Sequence, residues 1–419
     1  MNTFTIMFYD LTLVPKLEEF IHSTNKKELA NSLNLKYIYW KHKNKCNYHI
    51  LKYDKEWLNN ENKKTVGLLR SIIFDEEGNL LSFSPPKSLE ISSLVIDEDQ
   101  KVEAEKFVEG TMINVFYNKK TESWEMATKS SVGGESCFFM QNGFQIENTF
   151  KYMFEEVCKN IGFDINSLQK EYCYSFVMQH PKNRIVKIIS TMKLYLVEVY
   201  EIQGLKVNKV PLSSLDINKK IIIPDRMPIN TIEDFNQCKD TLASMNTNYQ
   251  VVGVIIKNKH GERFKIRNPN YEHVKKLRGN QPKLQYHYLT LRQKGFVKEY
   301  LNYYKEHKND FNNFRNLMHD YTNQLYINYR KCYVLKEKEL KHFPNKFKIH
   351  MYHLHHNLYL KELLPDKKFI SKEVVINYFN TLHPSKQMFV LNFDVRKDFI
   401  KNEKKIIEQE SNKQEYFEL

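Results

Sequence analysis

The sequence predicts an α+β fold: a domain of antiparallel strands with a few helices, followed by an all-α C-terminal domain. Three observations carry this. Over roughly the first two-thirds of the 419 residues, short apolar runs alternate with period two between Gly, Pro, Asn and Asp turns. From about Tyr286 the apolar residues recur at three and four positions instead, as in Phe311, Phe314, Met318, Tyr321 and Leu325. A hydrophobic fraction of 41%, with Gly and Pro at only 12 each, supplies core for both regions and little linker. The expected division is 1–285, then a helical domain over 286–400, then a charged tail over 401–419, poor in core residues and expected to fray.

Taken in order, residues 17–33 read as one or two short amphipathic helices and 37–40 as a strand. Residues 68–74 and 80–83 flank the acidic turn Asp75-Glu76-Glu77-Gly78, a hairpin ended by Pro85 and Pro86, which cannot donate to a ladder. The stretch 106–117 runs from a Glu-Gly-Thr corner into an alternating strand, and 124–130 returns as its hairpin partner. Phe150, Met153, Phe154 and Val157 have helical spacing, with Gly162 as C-cap. Residues 172–178, 185–189 and 193–200 read as strands and 232–245 as a helix. Residues 251–257 and 263–267 make a third hairpin. Ser371 is the N-cap of a helix carrying Val375, Tyr378, Phe379 and Leu382.

Lys and Arg exceed Asp and Glu by 64 − 50 = 14, which favours a polyanionic partner, nucleic acid ahead of a membrane surface. A Lys- and Asn-rich coding bias is the bland alternative. The six cysteines are scattered with no C-x-x-C pair, so neither a disulfide framework nor a zinc knuckle is expected, and a reducing intracellular compartment fits. Residues 1–10 lack a basic n-region, and no apolar run is long enough to span a bilayer. His350, His353, His355 and His356 cluster in a basic, aromatic stretch. With no cysteine or carboxylate pattern beside them, they read as solvated or nucleic-acid-facing rather than as metal ligands.

Five stretches then occur in a telling order: Arg70-Ser71-Ile72-Ile73-Phe74, Glu109-Gly110-Thr111, the run from Phe176 through His180-Pro181-Lys182-Asn183-Arg184 to Val186, Val252-Gly253-Val254-Ile255, and Phe264-Lys265-Ile266-Arg267. Over residues 60–280 the chain resembles the phage-type ATP-dependent RNA ligases, members of the covalent nucleotidyltransferase superfamily. The resemblance implies a nucleotidyltransferase (ATP-grasp-like) ligase domain with antiparallel sheets. In that family a lysine opening a Lys-x-Asp-Gly motif attacks the α-phosphate of ATP, two glutamates hold ribose and magnesium, and a Lys-x-Lys strand holds phosphates.

Carried over by position, the nucleophile falls on Phe107 and the two glutamates on Val177 and Val252. The binding groups persist: Arg70, Glu109 as the acid of the first motif, Lys265, and Arg267 in place of the second lysine. Lys275, Lys276, Arg278 and Lys283 follow as nucleic-acid contacts, with an ordinary solvated face as the bland reading. Arg184 reads as a salt-bridge or backbone-binding residue, and Thr128-Lys129-Ser130 resembles a pocket-wall segment. The expectation is a catalytically degenerate, ligase-like protein kept for binding RNA or another nucleic acid. Two alternatives stand beside it. One is an active ligase or adenylyltransferase whose nucleophile is Lys106 or Lys87, and only then are ATP and magnesium implied as cofactors. The other is a viral scaffold with a viral protein partner, since the composition and the resemblance imply a large DNA virus as source, with host cytoplasm or virion as location.

Overall fold

Short strands bounded by tight turns build three antiparallel sheets. The computed structural model describes residues 8–41, 46–96, 102–137, 146–258, 260–398 and 400. The expected tail, 401–419, lies outside them. The chain divides into two compact units, Met1–Arg278 and Gly279–Leu419.

In the first unit the strands are β1 (Phe8–Asp10), β2 (Leu35–Trp40), β3 (Tyr48–Tyr53), β4 (Ile72–Phe74), β5 (Leu80–Ser82), β6 (Val102–Lys106), β7 (Thr111–Asn118), β8 (Ser123–Ala127), β9 (Tyr172–Gln179), β10 (Lys193–Gln203), β11 (Lys206–Lys209), β12 (Arg226–Ile229), β13 (Gly253–Lys257) and β14 (Arg263–Arg267). The largest sheet has the order β1-β11-β10-β9-β7-β8; the others run β12-β6-β13-β14 and β2-β3-β4-β5. The helix Phe150–Ile161, capped by the Thr149 hydroxyl and by Gly162 at φ 61°, buries Met153, Phe154, Val157 and Ile161. They pack on the large sheet against Ile113, Tyr174, Phe176 and Met178. Residues 17–33 form two helices, Leu17–His22 and Lys26–Ser32.

The β12-β6-β13-β14 sheet is two-faced, and its pleat explains how. Val102, Ala104, Val254, Ile256 and Phe264 turn one way and pack with Cys238 of the helix Ile232–Ala243. Directly paired residues share a face. The register Ile255↔Glu105, Ile255↔Lys265 and Lys257↔Arg263 therefore gathers the charged side chains on the other face. There the Lys257 ammonium, 5% exposed, lies 2.7 Å from Glu105 Oε2 and 2.7 Å from Glu198 Oε1 of β10. Arg226 Nε adds a 3.0 Å contact to Glu105, and Lys209 lies 3.1 Å from Glu198. This buried ion network ties the charged face to the large sheet.

One expected strand is absent. Residues 185–189 form an irregular loop, because their polar backbone groups are claimed by side chains instead of a ladder. Glu109 takes the amides of Val186 and Lys187, and Arg184 donates twice to the Val186 carbonyl, each at 3.1 Å.

The second unit has no strand among its described residues. Its longest helix, Lys308–Tyr329, buries Phe311, Met318, Tyr321 and Leu325 along the expected stripe. Tyr321 packs on Phe347 and Phe379 at ring separations of 5.0 and 5.3 Å. Lys372–Thr381 follows, capped by Ser371 as expected.

Replacing Lys257 by alanine removes the cation the two buried carboxylates share and leaves Glu105 on Arg226 and Glu198 on Lys209, so unfolding in urea should show a loss of about 3 kcal/mol. Lys36→Ala, which removes the surface Lys36–Asp54 pair, should leave the urea midpoint nearly unchanged. The cations Lys257, Lys209 and Arg263 outweigh the burial of Glu198 and hold its carboxyl well below the ordinary 4.5. A depressed folded-state value stabilises above the unfolded one, so this contribution should be complete above about pH 5 and lost as the pH falls below it.

Candidate functional site

The sequence-predicted residues gather around residues 107–110. Phe107 follows β6 on the charged face, its amide donating to the Gly253 carbonyl at 3.1 Å. The Arg267 guanidinium lies 5.2 Å from the centre of its ring. Gly110 packs so closely on β9 that a Cβ there would lie 2.4 Å from the Met178 carbonyl and 2.7 Å from Val177 Cγ1. At Gly253, φ 131°, a Cβ would lie 2.1 Å from the Ile266 carbonyl, so neither glycine admits a side chain. Val177 thus meets the 107–110 segment directly, and Val252 adjoins it through Gly253. Val177 and Val252 are 6% and 4% exposed, so both read as core.

Cations converge beside this apolar patch. Arg70 donates to the Pro85 carbonyl at 3.4 Å, and burial, then Arg263, pushes it down to about 10. Lys265 projects from β14 on the charged face and keeps contact with solvent. Its partial burial, then Arg267, Lys87, Arg70 and Lys275, pushes its ammonium down to about 8. Lys87 is lowered by burial, then Lys63, Lys55 and Arg70. Lys275 is lowered by burial and then Arg267, with Glu272 opposing. On the flank, Lys129 lies 5.4 Å from the Tyr53 ring centre, and burial with Lys55, Arg70 and Lys52 brings it down to about 8. Lys52 itself donates to Ser130 Oγ at 2.7 Å. Burial is the largest cause in each case and mutual repulsion adds to it, a repulsion that an incoming polyanion relieves. Glu272, ion-paired with Arg267, offsets part of that charge.

Several expected roles change. Glu109 does not face the cleft as a nucleotide ligand. It is 4% exposed, and its carboxylate accepts from Val186 N at 3.0 Å and Lys187 N at 2.9 Å, with Tyr271 as a further donor. Burial raises its pKa against those bonds. It locks the Pro181–Val186 run onto the corner, helped by Gln179 Nε2 on its own carbonyl at 2.7 Å. Arg278, expected among outward nucleic-acid contacts, is 6% exposed and acts on Glu109 from inside. Lys276 and Lys283 are exposed, Lys283 in the second unit.

Lys106 is exposed, and by alternation it shares the face of Val102 and Ala104, opposite Glu105; that puts it on the wrong side of β6 for the cleft. Lys87 acts electrostatically on Lys265 and feels Arg70, which places it with the cation cluster. The magnesium site implied by the resemblance does not fit these residues. A hard cation needs oxygen ligands, Val177 and Val252 have none to give, and Glu109 is occupied by amides. Among the described residues no group of three or more His, Cys, Asp or Glu could hold a metal ion. His350 instead pairs with Tyr378 at 2.9 Å, its pKa pushed down to about 4 by burial and then by His353 and Lys386.

Lys52, Lys55 and Arg263 were missed in the sequence. The signal for Lys52 was faint: one cation inside the otherwise apolar strand β3.

No protein-family model matches the chain. A curated relative, an immediate-early protein ICP-46 homolog of Invertebrate iridescent virus 3, is 26% identical over 192 residues, 44% of this chain and 38% of that protein. This chain therefore spans well under half of that relative's length. Among solved structures, similarity is found to a protein of Aquifex aeolicus described as a candidate ATP-dependent DNA ligase, 12% identical with a TM-score of 0.39 over 66% of this chain and 68% of that one. It extends to an archaeal ATP-dependent RNA ligase, 12% identical, TM-score 0.35, over 62% and 64%. An RNA ligase of Naegleria gruberi, solved with ATP and manganese, matches at 12% identity and TM-score 0.32 over 46% and 58%. No helix among the described residues is long and apolar enough to cross a membrane, and the cysteines described are free.

Glu109→Ala removes the carboxylate oxygen that accepts from both Val186 N and Lys187 N. Hydrogen exchange at Val186 and Lys187 should accelerate, and stability should fall by about 1–3 kcal/mol. Unchanged protection at those two amides would remove Glu109 from this role.

Proposed function

We propose that the chain is a ligase-fold protein of the RNA-ligase type that binds nucleic acid through the cleft of Arg70, Lys87, Lys265, Arg267 and Lys275 and performs no nucleotidyl transfer. One observation carries the reading. All three positions assigned to bond-making or metal holding are apolar, while the cations around them crowd one another for want of an anion. An amine nucleophile needs a lone pair, which Phe107 lacks. The motif order and the two close-packed motif glycines favour the ligase assignment. The iridescent-virus relative favours a viral source.

In this reading the residues divide the work. Lys265 and Lys87 supply mobile ammonium donors to phosphate oxygens, and Arg70 a planar guanidinium held by Pro85. Arg267 rests over Phe107, so the ring fills the place from which a lysine would have attacked. A triphosphate is a candidate anion for the same cations, as a held ligand only.

A second reading makes Lys87 the nucleophile. Its lowered pKa and its place near Arg70 favour that, and the missing oxygen ligands for magnesium weigh against it. Lys87→Ala would then abolish an acid-stable adduct with α-labelled ATP.

RNA binding measured by fluorescence anisotropy should weaken steeply with salt, and Lys265→Met should lower the slope by about one. Because Lys265 titrates near 8, affinity of the parent should fall as pH rises from 7 to 9 and that fall should shrink in Lys265→Met. Salt-independent binding, or no binding at low salt, would contradict the cleft's role.

A further inference from the structure

The second unit carries a ring cluster that extends outward from the buried Tyr329, which packs on Tyr333 and His355 at 5.4 and 6.1 Å. Tyr333 and His355 stack at 3.9 Å and 12°, and His355 continues onto Tyr359 at 5.5 Å and 23°. His356 lies against Tyr352 at 4.3 Å and edge-on to Tyr333 at 6.2 Å. Beneath them Tyr329 and Leu354 are buried at 3% and 0% exposure and anchor the two segments. The rings themselves stay partly or fully open, with Tyr352 at 47%.

A second, independent feature coincides with them. Both segments, Arg330–Val334 and His353–Leu363, are wound as π-helix, with Leu335 N bonding to Arg330 O and Leu364 N to Tyr359 O, each at 2.8 Å. Such winding is rarer than α-helix and gathers at functional sites. Here the wider turn sets His355 and Tyr359 one above the other. Arg330, Lys331 and Lys361 are exposed on the same segments, against one exposed acid, Glu362.

We propose that the Tyr333–His355–Tyr359 column and the adjoining Tyr352–His356 pair form a stacking platform for bases of single-stranded nucleic acid, with the neighbouring cations on its phosphates. Flat faces offer π contact to any base, so the platform discriminates single strands from duplexes rather than one sequence from another. It is separate from the cation cleft of the first unit, and neither depends on the other.

The test uses the full chain, with an oligouridylate and an RNA duplex of equal length as probes, read by anisotropy. Tyr333→Leu with His355→Leu keeps apolar bulk and removes the stacking faces. Single-strand affinity should fall about tenfold with the salt slope unchanged, duplex affinity should hold, and Tyr333→Phe should bind like the parent. Ultraviolet cross-linking of the parent should place uridine on peptides containing Tyr333 or His355. Parent-like single-strand binding in the double variant, or cross-links confined to the first unit, would overturn the platform. Should Lys265→Met leave binding untouched while the double variant loses it, the cleft reading fails and this one stands.

Discussion

The Lys257 ammonium, shared between Glu105 and Glu198, is the contact on which the site depends. It joins the charged face of β6-β13-β14 to the large sheet, and the same face carries Lys265, Arg267 and Phe107. Two carboxylates around one buried lysine leave little freedom in how the sheets meet, since a shift would unpair a charge in an apolar interior. The cost of assembling such a network offsets much of its attraction, so its value lies in fixing register. That register sends Phe107 toward Arg267 and Lys106 to the opposite side.

Around that clamp, Gly110 and Gly253 make the close backbone approaches that let three chain segments meet at the corner 107–110, and Glu109 is the acceptor that pins the loop at 186–187. Phe107, Val177 and Val252 place apolar side chains here, which carry no charge that would be costly to bury. Glu272 pairs with Arg267, and Lys265 and Lys275 lie beside that pair.

The architecture was legible because periodicity reports it. The helix stripe at Phe311–Leu325, the caps at Gly162 and Ser371, and the hairpin about the 75–78 turn all rest on local chemistry, and they stand as read. The strand expected at 185–189 was misread because the Glu109 side chain, distant in sequence, captures its amides. The same cause hid the roles of Glu109 and Arg278: alignment places a residue on an element, whereas burial decides which way it faces. Lys52, Lys55 and Arg263 went unseen because their convergence is made only by folding. The Tyr333–His355 stack joins two segments far apart in sequence, so only folding brings it together.

The central claim, a cleft that holds phosphate and forms no bond to it, is tested most directly by intact-mass spectrometry after incubation with ATP and magnesium or manganese. The same samples should be examined by calorimetry with ATP in the absence of metal. The account predicts measurable, metal-independent binding and an unchanged protein mass. A mass increase of one nucleotidyl group, surviving acid denaturation, would contradict it.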